Sequence, residues 1–102
     1  MKLWIDDIIP APERYLWARS VNDAKYQIEW LERFVTKYDD LELIDIDHNA
    51  GDFVWDGGHY IKLLEWLEET GRNYPIHIHG DSEINKVMMR TIIERNGWKE
   101  IR

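Results

Sequence analysis

Leu3-Trp4-Ile5-Asp6-Asp7, residues 3–7, is the stretch whose reading decides the fold. Three apolar residues stopped by two carboxylates describe a buried parallel strand that ends at a functional edge. Working outward, Pro10 and Pro12 forbid a continuous helix, so the segment through Glu13 is read as an extended loop. Tyr15 to Arg19 carries aromatic residues in near alternation and is read as a second strand at a sheet edge. Ser20-Val21-Asn22-Asp23 has the character of a helix cap, and Val21, Ala24, Ile28, Leu31 and Val35 recur at helical spacing behind it.

The same alternation continues along the chain. Leu41 to Asp47 is the third predicted strand, apolar at Leu41, Leu43, Ile44 and Ile46, with Asp45 and Asp47 on its other side. A wide glycine-rich loop, Asn49 to Gly58, leads into a second helix from about His59 to Thr70, with Gly71 just past its end. Pro75 to His79 is the fourth strand. Ser82 or Asp81 caps a third helix in which Ile84, Val87, Met88, Thr91 and Ile92 share a face, Gly97 ends it, and Trp98 to Ile101 is a fifth strand. Strands alternating with helices imply parallel units with right-handed crossovers. The expected fold is therefore α/β: a three-layer, flavodoxin-like open parallel sheet of strand order 2-1-3-4-5 with about three helices.

Composition bounds the function. A chain of 102 residues, 44% apolar and with six Trp, fills one core, and we expect a single domain over residues 1–102. A formal charge of -7 opposes duplex DNA and anionic membranes, while leaving a local site free to bind a small anion. No cysteine is present, which excludes disulfides and thiolate metal sites. The chain turns acidic after three apolar residues, too soon for a signal peptide or a membrane span, so a cytoplasmic location is expected.

Ligands of such sheets sit beyond the carboxyl ends of the strands, at the switch between strands 1 and 3. Strand 1 ends in Asp6-Asp7, strand 3 in Asp47-His48 and strand 4 in His79, so the topology gathers these five side chains. Three close carboxylates raise one another's pKa values unless a cation or an imidazolium neutralises them. Asp6, Asp7 and Asp47 are accordingly the candidate ligands of a divalent cation, with Mg²⁺ the natural choice. An Asp after a strand also simply starts a turn, which is the competing reading of each one taken singly. His48 and His79, at the strand exits, are the candidate base and acid. Asp45 and His77 lie one pleat deeper on adjacent strands and are expected to satisfy each other by a cross-strand hydrogen bond.

The loops offer weaker signals. Gly51, Gly57 and Gly58 let a loop approach a ligand, and Gly51 is a candidate phosphate contact, though the pattern is neither a P-loop nor a dinucleotide fingerprint. Gly80-Asp81-Ser82 with Asn85 and Lys86 places an anion-friendly helix terminus beside His79, making Ser82 and Lys86 candidate ligand contacts. Trp55 with Phe53 either stacks on a base or covers the sheet end. Trp30 and Trp66 lie off the main apolar stripes.

Three segments together carry a family resemblance. Leu3 to Pro12 followed by Trp17-Ala18-Arg19-Ser20-Val21, then Ile46-Asp47-His48-Asn49-Ala50-Gly51, then His77-Ile78-His79-Gly80 through Met89, resemble the corresponding motifs of the cyclic-phosphate processing receiver domains. The resemblance spans nearly the whole chain. It implies a receiver-like fold and a role on cyclic or terminal phosphates of nucleotides or RNA, and it carries Asp6, Asp7, Asp47, His48 and His79 over as active positions. The chain departs from the family pattern at Asn49, where an Asp is usual, at Gly80, where a Ser is usual, and at Asn85-Lys86, where Gly-Arg is usual. An amide at Asn49 in place of that carboxylate weakens a metal site. Phosphoacceptor signalling is disfavoured, because only Gly80 and Trp98-Lys99-Glu100 stand where a hydroxyl and a lysine are required.

The expected activity is phosphoesterase-like, on a cyclic phosphate, a small phosphorylated nucleotide or an RNA end, with His79→Ala abolishing turnover at a stability cost below about 1 kcal/mol. The alternative is a non-catalytic receiver-like module that binds a protein partner. Fold alone does not separate the two.

Overall fold

Seven elements follow one another in the computed structural model, which describes residues 1–34, 40–80 and 82–102. They are β1 (Lys2–Ile5), β2 (Tyr15–Ala18), α1 (Val21–Phe34), β3 (Leu43–Ile46), α2 (Ile61–Glu69), β4 (Ile76–Ile78) and α3 (Glu83–Asn96), with one 3-10 turn at Gly51–Phe53. The readings that fall on Val35 and Asp81 lie outside the described residues. All strands pair in parallel in the order β2-β1-β3-β4. The central pairing sets Leu3 beside Ile44 and Ile5 beside Ile46, so the tips of β1, β3 and β4 are neighbours as expected.

Local chemistry explains the helix starts. Ser20 Oγ accepts from the Asp23 N–H at 3.0 Å and donates to Asp56 at 2.6 Å, fixing the first turn of α1. Ser82 caps α3 by accepting from the Asn85 N–H, and Gly97 closes that helix at φ 68°, a conformation that favours glycine.

Both helical crossovers of the sheet, β2-α1-β3 and β3-α2-β4, advance in the same direction across it, and right-handed connections then put their helices on one face. That face is fully apolar: Leu3, Ile5, Ile44, Ile46 and Ile76 are completely buried against Val21, Ala24, Ile28, Leu63, Leu64 and Leu67. The only connection that reverses direction, β1 to β2, is the proline-bearing loop rather than a helix. The expected cover of the opposite face is thus supplied by loop and side chains, and Lys2, Trp4, Tyr15, Trp17, Leu43 and His77 stay part-exposed there.

Three expectations need correction. The fifth strand reduces to a single parallel bridge, Ile76 with Glu100, held by Ile76 N–H to Lys99 O and Ile101 N–H to Ile76 O. Trp98 turns into the core instead of extending the ladder. On α3 the predicted face is the outer one: Ile84, Val87 and Met88 are 85%, 59% and 69% exposed, whereas Met89, Ile92 and Ile93 are buried. Two apolar stripes lie side by side on this helix with Ile92 common to both readings, so periodicity alone does not choose. Trp55 does not cover the sheet end, being 78% exposed. No helix among the described residues is long and apolar enough to cross a membrane.

Candidate functional site

Asp6 leaves β1 and is buried. Its Oδ1 accepts the backbone N–H groups of Ile8 and Ile9 at 2.9 and 2.8 Å, and its Oδ2 meets His79 Nε2 at 2.9 Å. The other ring nitrogen of His79, Nδ1, meets Asp45 Oδ1 at 2.7 Å. An imidazole held between two carboxylates satisfies both only as the doubly protonated cation. Burial opposes that charge, but the hydrogen bonds that the ring donates to Asp45 and Asp6 outweigh it and raise the His79 pKa above its ordinary value. For Asp6, burial raises the pKa and the Ile9, Ile8 and His79 hydrogen bonds more than reverse it, so it is lowered overall. Trp4 lies flat against the imidazole, with ring centroids 3.8 Å apart and planes 3° from parallel, a geometry that favours a cation over the indole.

This network replaces the expected Asp45–His77 pair. The two are register partners on β3 and β4, yet Asp45 reaches forward to His79, while His77 Nδ1 turns outward to Ile101 O at 2.7 Å. The ladder sets Asp45 and His77 side by side, but the stronger acceptor, a carboxylate, goes to the histidine nearer the strand tips.

Asp47 and His48 form a second unit. Asp47 Oδ1 accepts the His48 backbone N–H at 2.8 Å and lies 3.1 Å from His48 Nδ1. His48 Nε2 is 2.9 Å from the Asn85 side-chain amide on the exposed first turn of α3. Asp47 Oδ2 has no hydrogen-bond partner among the described residues. One atom each from Asp6, Asp47 and His79 lie within 4.8 Å of one another, so three of the five predicted residues converge tightly.

Asp7 lies against Gly51, outside the group formed by Asp6, Asp47 and His79. A Cβ at Gly51, whose φ is 52°, would stand 2.0 Å from Asp7 Oδ2, so the room that the glycine leaves is filled by this carboxylate and not by an open phosphate cradle. Gly80 makes similar room beside Asp47 Oδ1. Burial raises the Asp7 pKa, and the charges of Asp6, Asp47 and Asp52 add to the rise. Asp7 is crowded with like charge and Asp47 keeps one oxygen without a hydrogen bond among the described residues, both hard donors of the kind a divalent cation takes, whereas Asp6 has three of its about four acceptor sites engaged.

The remaining candidates stand apart. Ser82 is engaged as the α3 cap, and Lys86 pairs with Glu83 at 3.5 Å. Asn49 accepts the Gly51 N–H at 2.8 Å and shapes the turn.

Four contributors were missed in the sequence. Trp4 is the register partner of Asp45, and the indole therefore had to lie near the His79 network. Tyr60 is completely buried beneath the acidic groups, donates to Arg19 O at 2.8 Å, and has its hydroxyl pKa raised by burial and by Asp7, Asp6 and Asp47. Asn85 was read only as part of a helix terminus. Arg19 directly follows Ala18, the register partner of Ile5, which places it beside Asp6-Asp7 just as their own strand does.

The sequence profile of the cyclic-phosphate processing receiver domain matches residues 1–95. No curated protein and no solved structure matches the chain.

Proposed function

Since the chain belongs to the cyclic-phosphate processing receiver domain family, we propose that it hydrolyses one ester bond of a cyclic phosphodiester on a nucleotide or RNA end. The observation that carries this reading is the Asp47–His48 pair. With Nδ1 held by Asp47, the imidazole presents Nε2 toward the solvent side, where the Asn85 amide is its present partner. Water takes the place of that amide. Nε2 accepts a proton from the water as its oxygen bonds to phosphorus, the ester P–O bond breaks, and the imidazolium returns the proton to the departing alkoxide. The products are a phosphomonoester and a free hydroxyl.

Asp7 and Asp47 are the residues that would hold a divalent cation, which when bound supplies charge neutralisation for the phosphoryl oxygens. His79 changes role relative to the sequence reading. Both its nitrogens are engaged, so in this proposal it does not shuttle protons but stands as a fixed cation between Asp6 and Asp45 and positions the strand tips. Incubation with a panel of 2′,3′-cyclic and 3′,5′-cyclic nucleotides in Mg²⁺ or Mn²⁺ tests the reading. Phosphomonoester formation that falls at least about a hundredfold in His48→Ala is the expected result; no turnover of any member sinks it.

One observation favours a second reading, a non-catalytic module that binds a protein. The outward run Ile84, Val87 and Met88 is more apolar than a solvated helix face needs. That reading predicts no turnover and no thermal response to divalent cations.

A further inference from the structure

Arg19 sits at the end of β2, exposed yet held at several points. Its Nε and Nη2 both donate to Asp7 O, at 3.1 and 2.7 Å. Its guanidinium lies 5.0 Å from the Trp17 ring centroid and 4.6 Å from that of Phe53. Its own carbonyl accepts the Tyr60 hydroxyl. Backbone and side chain are therefore both fixed, although fixing an arginine sacrifices considerable rotamer freedom.

This arginine makes no ion pair among the described residues. Arg72, Arg90 and Arg95 each meet a glutamate carboxylate, but Arg19 is bound to a neutral carbonyl and two ring faces, with no carboxylate hydrogen-bonded to it among the described residues. Two of its five N–H donors are used, and the Nη1 side of the fork remains. It is exposed, and it stands on the same residue, Asp7, that borders the acidic site.

We propose that Arg19 is the phosphate-binding arginine of this protein, preorganised by Asp7 O, Trp17 and Phe53 to take a phosphoryl oxygen pair on its free edge. The proposal rests on the hydrolytic reading above only in identifying that phosphate as part of the processed ligand. Planar, bidentate recognition is what a guanidinium offers and an ammonium does not. It also resolves a difficulty of charge. A chain of net charge -7 with three carboxylates at its strand tips and Asp52 in the neighbouring turn repels a phosphodiester unless a cation meets it, and Lys86, the expected contact, is paired with Glu83.

Inorganic phosphate, titrated into the metal-free protein and followed by amide chemical shifts, supplies a test that does not depend on turnover. The wild type should show saturable shifts at Asp7, Arg19 and Phe53; Arg19→Gln should weaken binding about tenfold or more, and Arg19→Lys should recover only part of it. Thermal unfolding of both variants close to that of the wild type shows that the fold is kept. Equal phosphate affinity in wild type and Arg19→Gln, or wild-type shifts that never saturate at these amides, overturns the proposal. Turnover of 2′,3′-cyclic AMP separates the two readings. Phosphate binding that needs Arg19 in a protein without turnover upholds the anion site and removes the hydrolase, whereas turnover with an unchanged KM in Arg19→Gln removes the anion site and keeps the hydrolase.

Discussion

His79→Ala is expected to be costly to the fold, contrary to what the sequence suggests. The side chains involved are almost fully withdrawn from water, at 12% exposure for His79, 2% for Asp6 and 8% for Asp45. Removing the imidazolium leaves Asp6 with its two backbone donors but leaves Asp45 without the one side-chain partner it has among the described residues, and it strips the cation from the Trp4 ring. Breaking a buried pair in this way costs about 3 kcal/mol or more, because a desolvated charge is left uncompensated. For a chain of this length that corresponds to a fall in Tm of about 12 to 24 °C.

The pH dependence identifies the cause. The His79 pKa is raised in the folded state, so its contribution is complete below the ordinary value of 6.5 and fades as pH rises through the folded value. The Asp6 pKa is lowered, so its contribution is complete above 3.8 and is lost as pH falls through the folded value. Urea unfolding of wild type and variant in EDTA should therefore give the largest difference between pH 3.8 and 6.5 and a shrinking one at alkaline pH. Adding Asp45→Asn to His79→Ala should recover part of the loss. A difference below about 1 kcal/mol, or one that is flat from pH 5 to 9, would refute the charge network as the source of stability.

Further outcomes are expected elsewhere in the site. Asp47→Asn should lower turnover at least about a hundredfold with little change in Tm, since Asp47 is part-exposed and acts by holding His48; full activity in that variant would dismiss the dyad. Millimolar Mg²⁺ should raise the wild-type Tm and leave that of Asp7→Asn unmoved, as mass action on a folded-state site requires, and an equal response of both proteins places the cation elsewhere. Gly51→Ala should abolish the same Mg²⁺ response, because its Cβ collides with the Asp7 carboxylate; a retained response would show that Asp7 has room to move. Tyr60→Phe should cost about 1 kcal/mol in urea unfolding through the hydrogen bond lost to Arg19 O.

The strand tips were legible because two rules sufficed: apolar runs stopped by Asp mark the ends, and parallel connectivity makes the ends neighbours. Asp6, Asp47 and His79 met on that basis. Partner choice within the cluster was not legible. A period of two puts Asp45, His77 and His79 on one side, but which carboxylate reaches which ring depends on a diagonal approach that sequence spacing does not encode. The orientation of α3 failed for a different reason. Its sequence is apolar along two adjoining stripes, and the choice between Val87-Met88 and Met89-Ile93 is made by the packing partners. The bridge at Glu100 shows a third limit: Trp98 is worth more to the core than to a strand, and the ladder stops short.

The helix-free passage from β1 to β2 also orders how the site comes together. Lys2 meets Tyr15 thirteen positions along the chain but Leu43 only after forty-one, and the longer closure is entropically dearer by about 1 kcal/mol. The first nineteen residues thus bring Asp6, Asp7 and Arg19 together, whereas Phe53, Tyr60 and the histidine half wait for distant segments to arrive.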